Sequence, residues 1–376
     1  MRAVVISQHY LEPAHRGRLR ALAGLGCEVI AGVPDRWEVQ PGVIARPEWA
    51  PDGSVQIAPL PVTGNVDDPT AFQWRGRSLR KLLRETRPDI VEIADEPWTP
   101  AAARAAADAR RLRIPHVAHA GAVPDSLPMG ARLRLRRVVR GAGGILAENP
   151  LVRAEVERQF PSLPCTIIPR TGVNPPNAAA AGSPDQFVIG SVGRLVPAQG
   201  LEVLLRACVK LARPWTLTVS GTGPSQIALE ALADRLGIAG RITWLGAQPA
   251  RDREQIWPAL DCFVMPSRSS GARTETLGLT ALTAMAHGVP VVVTQVGALP
   301  ETVGSGGLVV PEDNPDALAE AIERLAGDPA FRDATRRAGR QRAMAEFSND
   351  VLARRTLEFW DAAVRSRAPA AGAAAV

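Results

Sequence analysis

The sequence predicts an α/β protein built from two doubly wound parallel-sheet domains. The chain has 376 residues, which is more than one ordinary hydrophobic core holds and is typical of two domains. Hydrophobic residues make up 46% and charged residues 22%, as in globular proteins. Short apolar runs alternate with helical patterns along the whole chain, which indicates parallel strands covered by helices. Ligands of such sheets bind at the carboxyl ends of the strands.

The first domain is predicted over residues 1–172 from this alternation. The strand RAVVIS precedes the helix RGRLRALAGLG, which ends at glycine, and the strand CEVIAGVP follows. A loop-rich stretch is expected up to about Thr70, and AFQWRGRSLRKLLRETRP is then predicted as a helix. The remaining strands are DIVEIAD, IPHVAHAG and GGILAEN, and the remaining helices are PAAARAAADARRLR, ARLRLRRVVRGA and LVRAEVERQF.

The second domain is predicted over residues 187–348, after a linker over 173–186 that has no periodicity. Its strands are FVIGSVGRL, WTLTVSGTG, RITWLG, CFVMPS and VPVVVTQ, and its helices include GLEVLLRACVKLA, SQIALEALADRLG and LGLTALTAMAHG. A C-terminal helix over 349–366 is expected to pack back on the first domain, and 367–376 is expected to form a flexible tail.

Several classes of protein are excluded by what the sequence lacks. No apolar run approaches the roughly 20 residues needed to span a bilayer, and MRAVVISQ is typical of a first strand rather than of a signal peptide. The four cysteines lie far apart without metal-finger spacing, as expected of buried thiols in a reducing compartment. We therefore expect a cytoplasmic protein without a metal site.

Positive charge is concentrated in the first half of the chain. The net charge is +6, and the whole excess lies in the first 175 residues. Base composition of the genome is one explanation, and an anionic ligand, substrate or membrane surface is another. The basic helix from Arg132 to Arg140 is predicted to expose its arginines to solvent, and the alternative is peripheral contact with a membrane. A nucleic-acid binder is disfavoured because the basic residues are not interleaved with aromatic ones.

Three glycine-containing segments follow predicted strands in the second domain. Gly221 and Gly223 do not complete a dinucleotide-binding fingerprint, because Gln226 stands where the third glycine belongs, so a tight turn is favoured. Gly193 ends a strand and places Arg194 at its carboxyl end. That guanidinium either clamps a phosphate or pairs with a surface carboxylate.

The segment Glu275–Gly288 combines a carboxylate with a helix N-terminus. Gly278 leaves the backbone bare where free N–H groups and the helix dipole favour an anion. Glu275 would repel that anion, so its natural partner is a sugar hydroxyl group. The alternative is a first-turn carboxylate that interacts favourably with the helix dipole.

Taken together, these segments resemble a known family. GRLVPAQGLEVLLRA, VSGTGP, RITWLG, MPSRSSGARTETLGLTALTAMAHGVPVVVTQVGALPETV and GLVVPEDNPDALAEAI are similar, in order and spacing, to the C-terminal domain of retaining glycosyltransferases of family 4. The likeness extends from Val188 to Ile322, and PDIVEIADEPW, IPHVAHAG and GGILAEN match the N-terminal domain more loosely. The resemblance implies the GT-B fold of the glycogen-phosphorylase-like group, in which two Rossmann-like domains face a central cleft.

The resemblance also implies an activity: transfer of a sugar, with retention of configuration, from a nucleotide-diphosphate donor to an acceptor hydroxyl group. The donor would be a co-substrate held by the second domain, and no metal or resident cofactor is expected. The acceptor, a small molecule, a lipid or a saccharide, would bind to the first domain, and no nucleic-acid partner is expected. The residues implied are Arg194, Glu275 and His119 as catalytic; Gly193, Gln199, Gly221, Gly223, Gly278, Leu279 and Thr283 at the donor; and His15, Arg16 and Gly17 on the acceptor side.

Four points of this assignment stay open. For His119, the alternative is a strand-end histidine that bonds to local backbone. Gln199 stands where the family has lysine, and Thr283 replaces the second glutamate of its E-x7-E motif. Only one glycine, Gly17, occupies the first loop, where the family has a pair. Arg16, Arg268 or Arg273 are hypothesised to supply the missing positive charge.

The departures from the family keep two other functions in view. One is a nucleotide-sugar 2-epimerase of the same fold. The other is a degenerate homologue that binds sugar nucleotide without catalysis.

Overall fold

The computed structural model describes residues 1–40, 43–122, 126–176, 186–249, 252, 254–269 and 275–366. The chain divides into two compact units. Unit 1 comprises Met1–Gly172 and Asn349–Val376, and unit 2 comprises Val173–Ser348. The predicted tail and most of the predicted linker lie outside the described residues.

In the described part of unit 1, eight strands form a sheet in the order β12-β11-β10-β9-β1-β2-β6-β5. All neighbours are parallel except β5 and β6, and two short antiparallel pairs, β3 with β4 and β7 with β8, accompany the sheet. The strands are β1 Arg2–Ile6, β2 Glu28–Pro34, β3 Trp37–Gln40, β4 Val43–Ala45, β5 Ala50–Asp52, β6 Val55–Leu60, β7 Val62–Gly64, β8 Phe72–Trp74, β9 Ile90–Ile93, β10 His116–Ala120, β11 Ile145–Ala147 and β12 Cys165–Ile167.

Helices cover both faces of this sheet. They are α1 Gly17–Gly24, α2 Ser78–Thr86, α3 Pro100–Arg111, α4 Met129–Val139, α5 Pro150–Gln159 and, after the chain returns from unit 2, α12 Asn349–Arg365. Side chains of β1 alternate between two cores: Val4 and Ile6 pack on one face of the sheet, and Ala3 and Val5 on the other. Trp360 of α12 is fully buried in the second core.

The sequence prediction is wrong between residues 37 and 77. A loop-rich stretch was expected there, but β3 to β7 lie within it, and β6 pairs along its whole length with β2. The helix expected from Ala71 begins only at Ser78, because Phe72 and Trp74 alternate inward as a strand. Their rings pack edge-to-face, with centroids 5.2 Å apart. Strands this short contain too few residues for periodicity to reveal them.

In unit 2, the described residues form a six-stranded, fully parallel sheet in the order β15-β14-β13-β16-β17-β18. Its strands are β13 Phe187–Val192, β14 Trp215–Ser220, β15 Ile242–Gly246, β16 Cys262–Met265, β17 Val291–Thr294 and β18 Leu308–Val310. Its helices are α6 Leu201–Cys208, α7 Gln226–Arg235, α8 Leu279–Ala286, α9 Leu299–Val303, α10 Pro315–Gly327 and α11 Pro329–Phe347. Two doubly wound parallel sheets are the fold class that the sequence predicts, and the structure confirms it.

Each sheet has a point at which the direction of winding reverses. In unit 1 the chain builds outward from β1 through β2, then returns and builds the other way from β9, so the reversal lies between β1 and β9. In unit 2 it lies between β13 and β16. Loops that leave the carboxyl ends of two such strands diverge and form a crevice, the usual ligand site of open α/β sheets. The two reversal points are therefore the candidate ligand sites of the two units.

Candidate functional site

The reversal point of unit 2 is formed by the loops after β13 and β16. Arg194 follows β13 and is exposed, and it forms no ion pair with any carboxylate among the described residues. The backbones of the two loops touch, since the Arg268 N–H donates to the Ala198 carbonyl over 2.8 Å. A Cβ atom on Gly200 would lie 2.0 Å from the Pro266 carbonyl oxygen, so glycine is needed for this approach. The structure thus leaves a guanidinium available beside the crevice.

The two glycines after β14 pack against the loop after β13. Leu195 N–H donates to the Thr222 carbonyl over 2.9 Å. A Cβ on Gly221 would lie 1.8 Å from the Gly193 carbonyl oxygen, and one on Gly223 would lie 2.3 Å from that of Leu195. This geometry supports the tight-turn interpretation of both glycines. Their contact with a donor stays a prediction.

Glu275 and Gly278 precede α8. The Glu275 carboxylate accepts a hydrogen bond from the Gly278 N–H, which opposes the effect of burial, but burial dominates and raises the pKa of Glu275. Gly278 has a φ of 68°, and a Cβ there would lie 2.5 Å from Leu299 Cδ2, so glycine is required. The backbone N–H groups of Gly278 and Leu279 were predicted to bind phosphate, and the Glu275 side chain already uses that of Gly278.

The first turn of α8 has amides that form no hydrogen bond within the helix. The helix's first internal bond runs from Leu282 N–H to the Gly278 carbonyl, so the N–H groups of residues 279–281 have no acceptor within the helix. Thr283 directs its hydroxyl group to the Leu279 carbonyl over 2.8 Å. The hydroxyl that replaces the family's glutamate is thus used within the helix.

Of the arginines hypothesised to supply positive charge in unit 2, Arg268 is already neutralised. Its guanidinium pairs with Glu202, and its Nε lies 2.5 Å from Asp313 Oδ1. Two carboxylates therefore compensate its charge, which argues against the hypothesis for Arg268. Arg273 lies outside the described residues.

The reversal point of unit 1 holds a carboxyl group that the sequence analysis missed. Asp95 follows β9, and its Oδ1 accepts from the Ser7 hydroxyl group over 2.7 Å and from the Gln8 N–H over 3.3 Å, so it bridges the two strand ends. Its Oδ2 is buried and has no hydrogen-bond partner within the described part of the chain. Burial raises the pKa of Asp95 to about 7. The sequence feature that could have indicated Asp95 is the presence of acidic residues directly after a buried strand.

A second polar network surrounds Arg170. Its guanidinium contacts Glu96, and its Nε donates to His119 Nδ1 over 3.0 Å and lies 3.8 Å from Glu148 Oε2. Glu96 also accepts from the N–H groups of Gly121 and Ala122 over 3.1 and 3.2 Å. The carboxyl ends of β9, β10, β11 and β12 are thereby joined.

His119 lies inside this network and has no exposed surface. Because Nδ1 accepts from Arg170, Nε2 carries the proton and donates to the Ile168 carbonyl over 2.8 Å. Burial lowers the pKa of His119 well below its usual range, so the ring is neutral. The geometry favours the alternative of a strand-end histidine held by local partners. His119 therefore positions the Arg170 side chain and does not face a ligand.

The residues predicted for the acceptor side are used internally by unit 1. Arg16 donates to the carbonyls of Tyr10 and Leu11 over 2.7 and 2.8 Å and to Asp52 over 3.0 Å, so its guanidinium is not free to bind a ligand. His15 stacks on His9 with ring centroids 4.2 Å apart. A Cβ on Gly17 would lie 2.2 Å from the Asn349 side chain, so this glycine permits close packing. The hypothesis that Arg16 replaces a missing charge is therefore not supported.

The described residues contain neither a cluster suited to a metal ion nor a helix suited to a membrane. No group of three or more His, Cys, Asp or Glu side chains among them is arranged to hold a metal ion. None of the helices in the described ranges is long and apolar enough to span a membrane.

Asp95→Asn is expected to make the protein more stable at high pH. A carboxyl pKa raised from 3.8 to about 7 means that the folded chain holds the proton more tightly than the unfolded chain does. The contribution of Asp95 to stability is therefore greatest at low pH and is lost as the pH rises from about 4 to 7, by up to about 4 kcal/mol. Asparagine cannot ionise, but its amide lacks a partner. We expect a net gain of about 1 to 3 kcal/mol at pH 8 and a smaller gain at pH 5, measured by urea unfolding.

The control is Asp108→Asn, at a buried aspartate that accepts from Arg80 and Arg104 over 2.7 and 2.9 Å. Loss of those charged partners should destabilise unit 1 at pH 8. Equal destabilisation by both substitutions would contradict the description of Asp95 as an uncompensated carboxylate.

Comparison with known proteins gives two family matches. Residues 186–328 match the model described as "Glycosyl transferases group 1", and residues 18–175 match "Glycosyltransferase Family 4". The chain is 34% identical over 251 residues to a GDP-mannose-dependent alpha-(1-6)-phosphatidylinositol monomannoside mannosyltransferase of Mycolicibacterium smegmatis, covering 62% of this chain and 65% of that protein. It is 36% identical over 181 residues to a D-inositol 3-phosphate glycosyltransferase of Mycobacterium bovis, covering 46% and 37%. The matches thus span less than two thirds of either relative.

Solved structures share the fold at low sequence identity. A sucrose-phosphate synthase of Thermosynechococcus elongatus has a TM-score of 0.74 at 19% identity, over 97% of this chain and 100% of that chain. HepE of Anabaena, solved in complex with UDP, has a TM-score of 0.74 at 18% identity, over 96% and 99%. At this identity the likeness establishes the fold.

Proposed function

Because the chain belongs to the glycosyltransferases of family 4 and has the GT-B fold, we propose that it transfers a sugar from a nucleotide-diphosphate donor to an acceptor hydroxyl group with retention of configuration. The observation that carries this proposal is that unit 2 has, at one reversal point, both the exposed Arg194 guanidinium and a helix whose first-turn amides have no acceptor within that helix. Both features suit a diphosphate. The relatives' names, with GDP-mannose in one and UDP in another, support a nucleotide-sugar donor.

The chemistry would depend on stabilising the departing nucleoside diphosphate. Negative charge grows on its phosphate as the bond to the sugar breaks, and preorganised donors that face that charge lower the barrier. We assign this role to Arg194 and the N-terminus of α8. Because these groups are cationic or N–H donors, the proposal needs no metal ion.

Glu275 would act on the sugar rather than on the phosphate. Its carboxylate is partly buried and lies one turn before the α8 amides, where it can accept hydrogen bonds from sugar hydroxyl groups. The sequence shows no paired-carboxylate arrangement like that of a glycosidase, so we propose front-face displacement, in which the donor phosphate helps to deprotonate the acceptor.

Calorimetry and a transfer assay test the proposal. The full chain should bind UDP or GDP, and it should release that nucleotide from UDP-glucose or GDP-mannose faster when polyol acceptors are added. Incubation of the donor without acceptor separates the epimerase, because only an epimerase changes the sugar while it is still attached to the nucleotide. Absence of nucleotide binding would overturn the proposed function.

The non-catalytic homologue is the second candidate, and one contact favours it. Thr283, which replaces the second family glutamate, bonds to the Leu279 carbonyl within α8. A chain that binds nucleotide tightly but transfers no sugar to any acceptor would support this candidate over an enzyme.

A further inference from the structure

The carboxyl edge of the sheet in unit 1 differs from a phosphate site in how its arginines are used. Arg18 is fully buried with Glu92, and its remaining N–H groups bond to Tyr10 and Thr356. Arg16 bonds to Asp52 and to two carbonyls. Arg170 bonds to Glu96 and His119 and lies close to Glu148. Each of these three guanidinium groups already uses N–H groups on partners inside unit 1, which leaves fewer of them for the paired hydrogen bonds by which arginine recognises phosphate.

Acidic side chains already engage the third of these arginines, Arg170, at the same edge. Asp95, Glu96 and Glu148 follow β9 and β11, and Arg170 is the cation among them, since the charge of Arg18 is compensated by Glu92. The side chains of Glu96 and Arg170 are 20% and 15% exposed, so a ligand can reach both. Burial raises the pKa of Asp95 and of Glu148, so Glu96 is the carboxylate that balances Arg170, and a phosphate here would find no uncompensated cation among these residues.

Arg36 is the exposed exception in the described part of this edge. It follows β2 directly after Asp35, whose Oδ1 is buried without a hydrogen-bond partner among the described residues. If a phosphorylated acceptor were used, Arg36 would be the residue expected to bind its phosphate.

We propose that the acceptor of this chain presents hydroxyl groups, and no phosphate, to the carboxyl edge of unit 1. This inference rests on the proposed glycosyl transfer. Glu96 would accept hydrogen bonds from acceptor hydroxyl groups, and the partly exposed Arg170 would donate to their oxygens. Selectivity would arise because the Glu96 carboxylate already engages Arg170 and would lie beside a phosphate that approached it. The relative named for inositol 3-phosphate would differ in this respect.

Matched acceptor pairs test the proposal in the full chain. The probes are myo-inositol with inositol 3-phosphate, and methyl glucoside with its 6-phosphate, each assayed with UDP-glucose and GDP-mannose. We expect kcat/KM to be at least about tenfold higher for the uncharged member of a pair. Equal or better use of the phosphorylated member overturns the proposal, and loss of that use in Arg36→Ala would show where the phosphate binds.

A charge-neutralising variant tests the assigned cause. Glu96→Gln keeps an acceptor for the Gly121 and Ala122 amides but removes the carboxylate that engages Arg170. We expect the preference for the uncharged member to fall about tenfold. Glu85→Gln, at a carboxylate of α2 that is 63% exposed, is the matched control and should leave the preference unchanged. An unchanged preference in Glu96→Gln overturns the assignment.

Nucleotide binding separates the two proposals. If UDP or GDP binds and neither member of either pair is used, the acceptor inference fails while the donor site stands. If no nucleotide binds, the proposed function fails, and the acceptor inference fails with it.

Discussion

Replacement of Arg194 by alanine is expected to lower kcat/KM for the nucleotide-sugar donor by about 10² to 10³-fold. Arg194 is the exposed guanidinium at the carboxyl end of β13, beside the reversal point of the unit 2 sheet. Loss of a positioned cation removes stabilisation that grows as the donor phosphate departs, so kcat should fall more than donor affinity does. Initial rates with varied donor and calorimetric binding of the nucleoside diphosphate measure the two effects separately.

The control is Arg235→Ala, which removes an exposed arginine at the end of α7. It changes the net charge of unit 2 equally but lies in a helix away from the strand-end loops. A similar loss of rate in both variants would indicate a general electrostatic effect rather than a phosphate clamp. An unchanged rate in Arg194→Ala would remove the assigned site.

Arg18→Met is expected to destabilise unit 1 by about 3 to 5 kcal/mol. Arg18 and Glu92 are both completely buried, and Glu92 also accepts a hydrogen bond from Trp360 Nε1 over 3.1 Å. Removal of the cation leaves a carboxylate buried without compensating charge, which is far more costly than loss of an exposed ion pair. Urea unfolding, followed by tryptophan fluorescence, measures the change.

Two further variants make this prediction specific. Methionine at both Arg18 and Glu92 should recover most of the lost stability, because no buried charge is then left without a partner. Arg2→Met, which breaks an ion pair whose side chains are 41% and 56% exposed, should cost less than about 1 kcal/mol. A double variant as unstable as Arg18→Met would show that packing, rather than charge, determines the effect.

The buried ion pair also explains how the C-terminal helix is held. Arg18 lies in α1, Glu92 in β9, and Thr356 and Trp360 in α12, so one polar cluster joins three elements of unit 1. Arg18 and Thr356 of this cluster are 338 positions apart in the chain. The association of the cluster buries Trp360, and a strong destabilisation in Arg18→Met would include loss of this docking.

The sequence alone was sufficient to predict the alternation of strands and helices, the two sheets, and the position of Arg194 and Glu275 in segments that follow strands. These features depend on local patterns: apolar runs for buried strands, glycine where φ is positive, as at Gly278, and strand ends followed by polar residues. The short strands between residues 37 and 74 were missed because their pairing, as between β2 and β6, is set by neighbours distant in the chain.

Only the tertiary structure decided which charged residues are available to a ligand. The sequence proposes Arg16 and Arg268, like Arg194, as cations for a ligand, yet Asp52, Glu202 and Asp313 neutralise the first two. Asp95 and Ser7 are 88 positions apart, and no local pattern indicates that they meet. Ion pairing and burial depend on distances in space, whereas sequence patterns report the backbone's local preference, so the chemistry of the unit 1 edge emerged only with the fold.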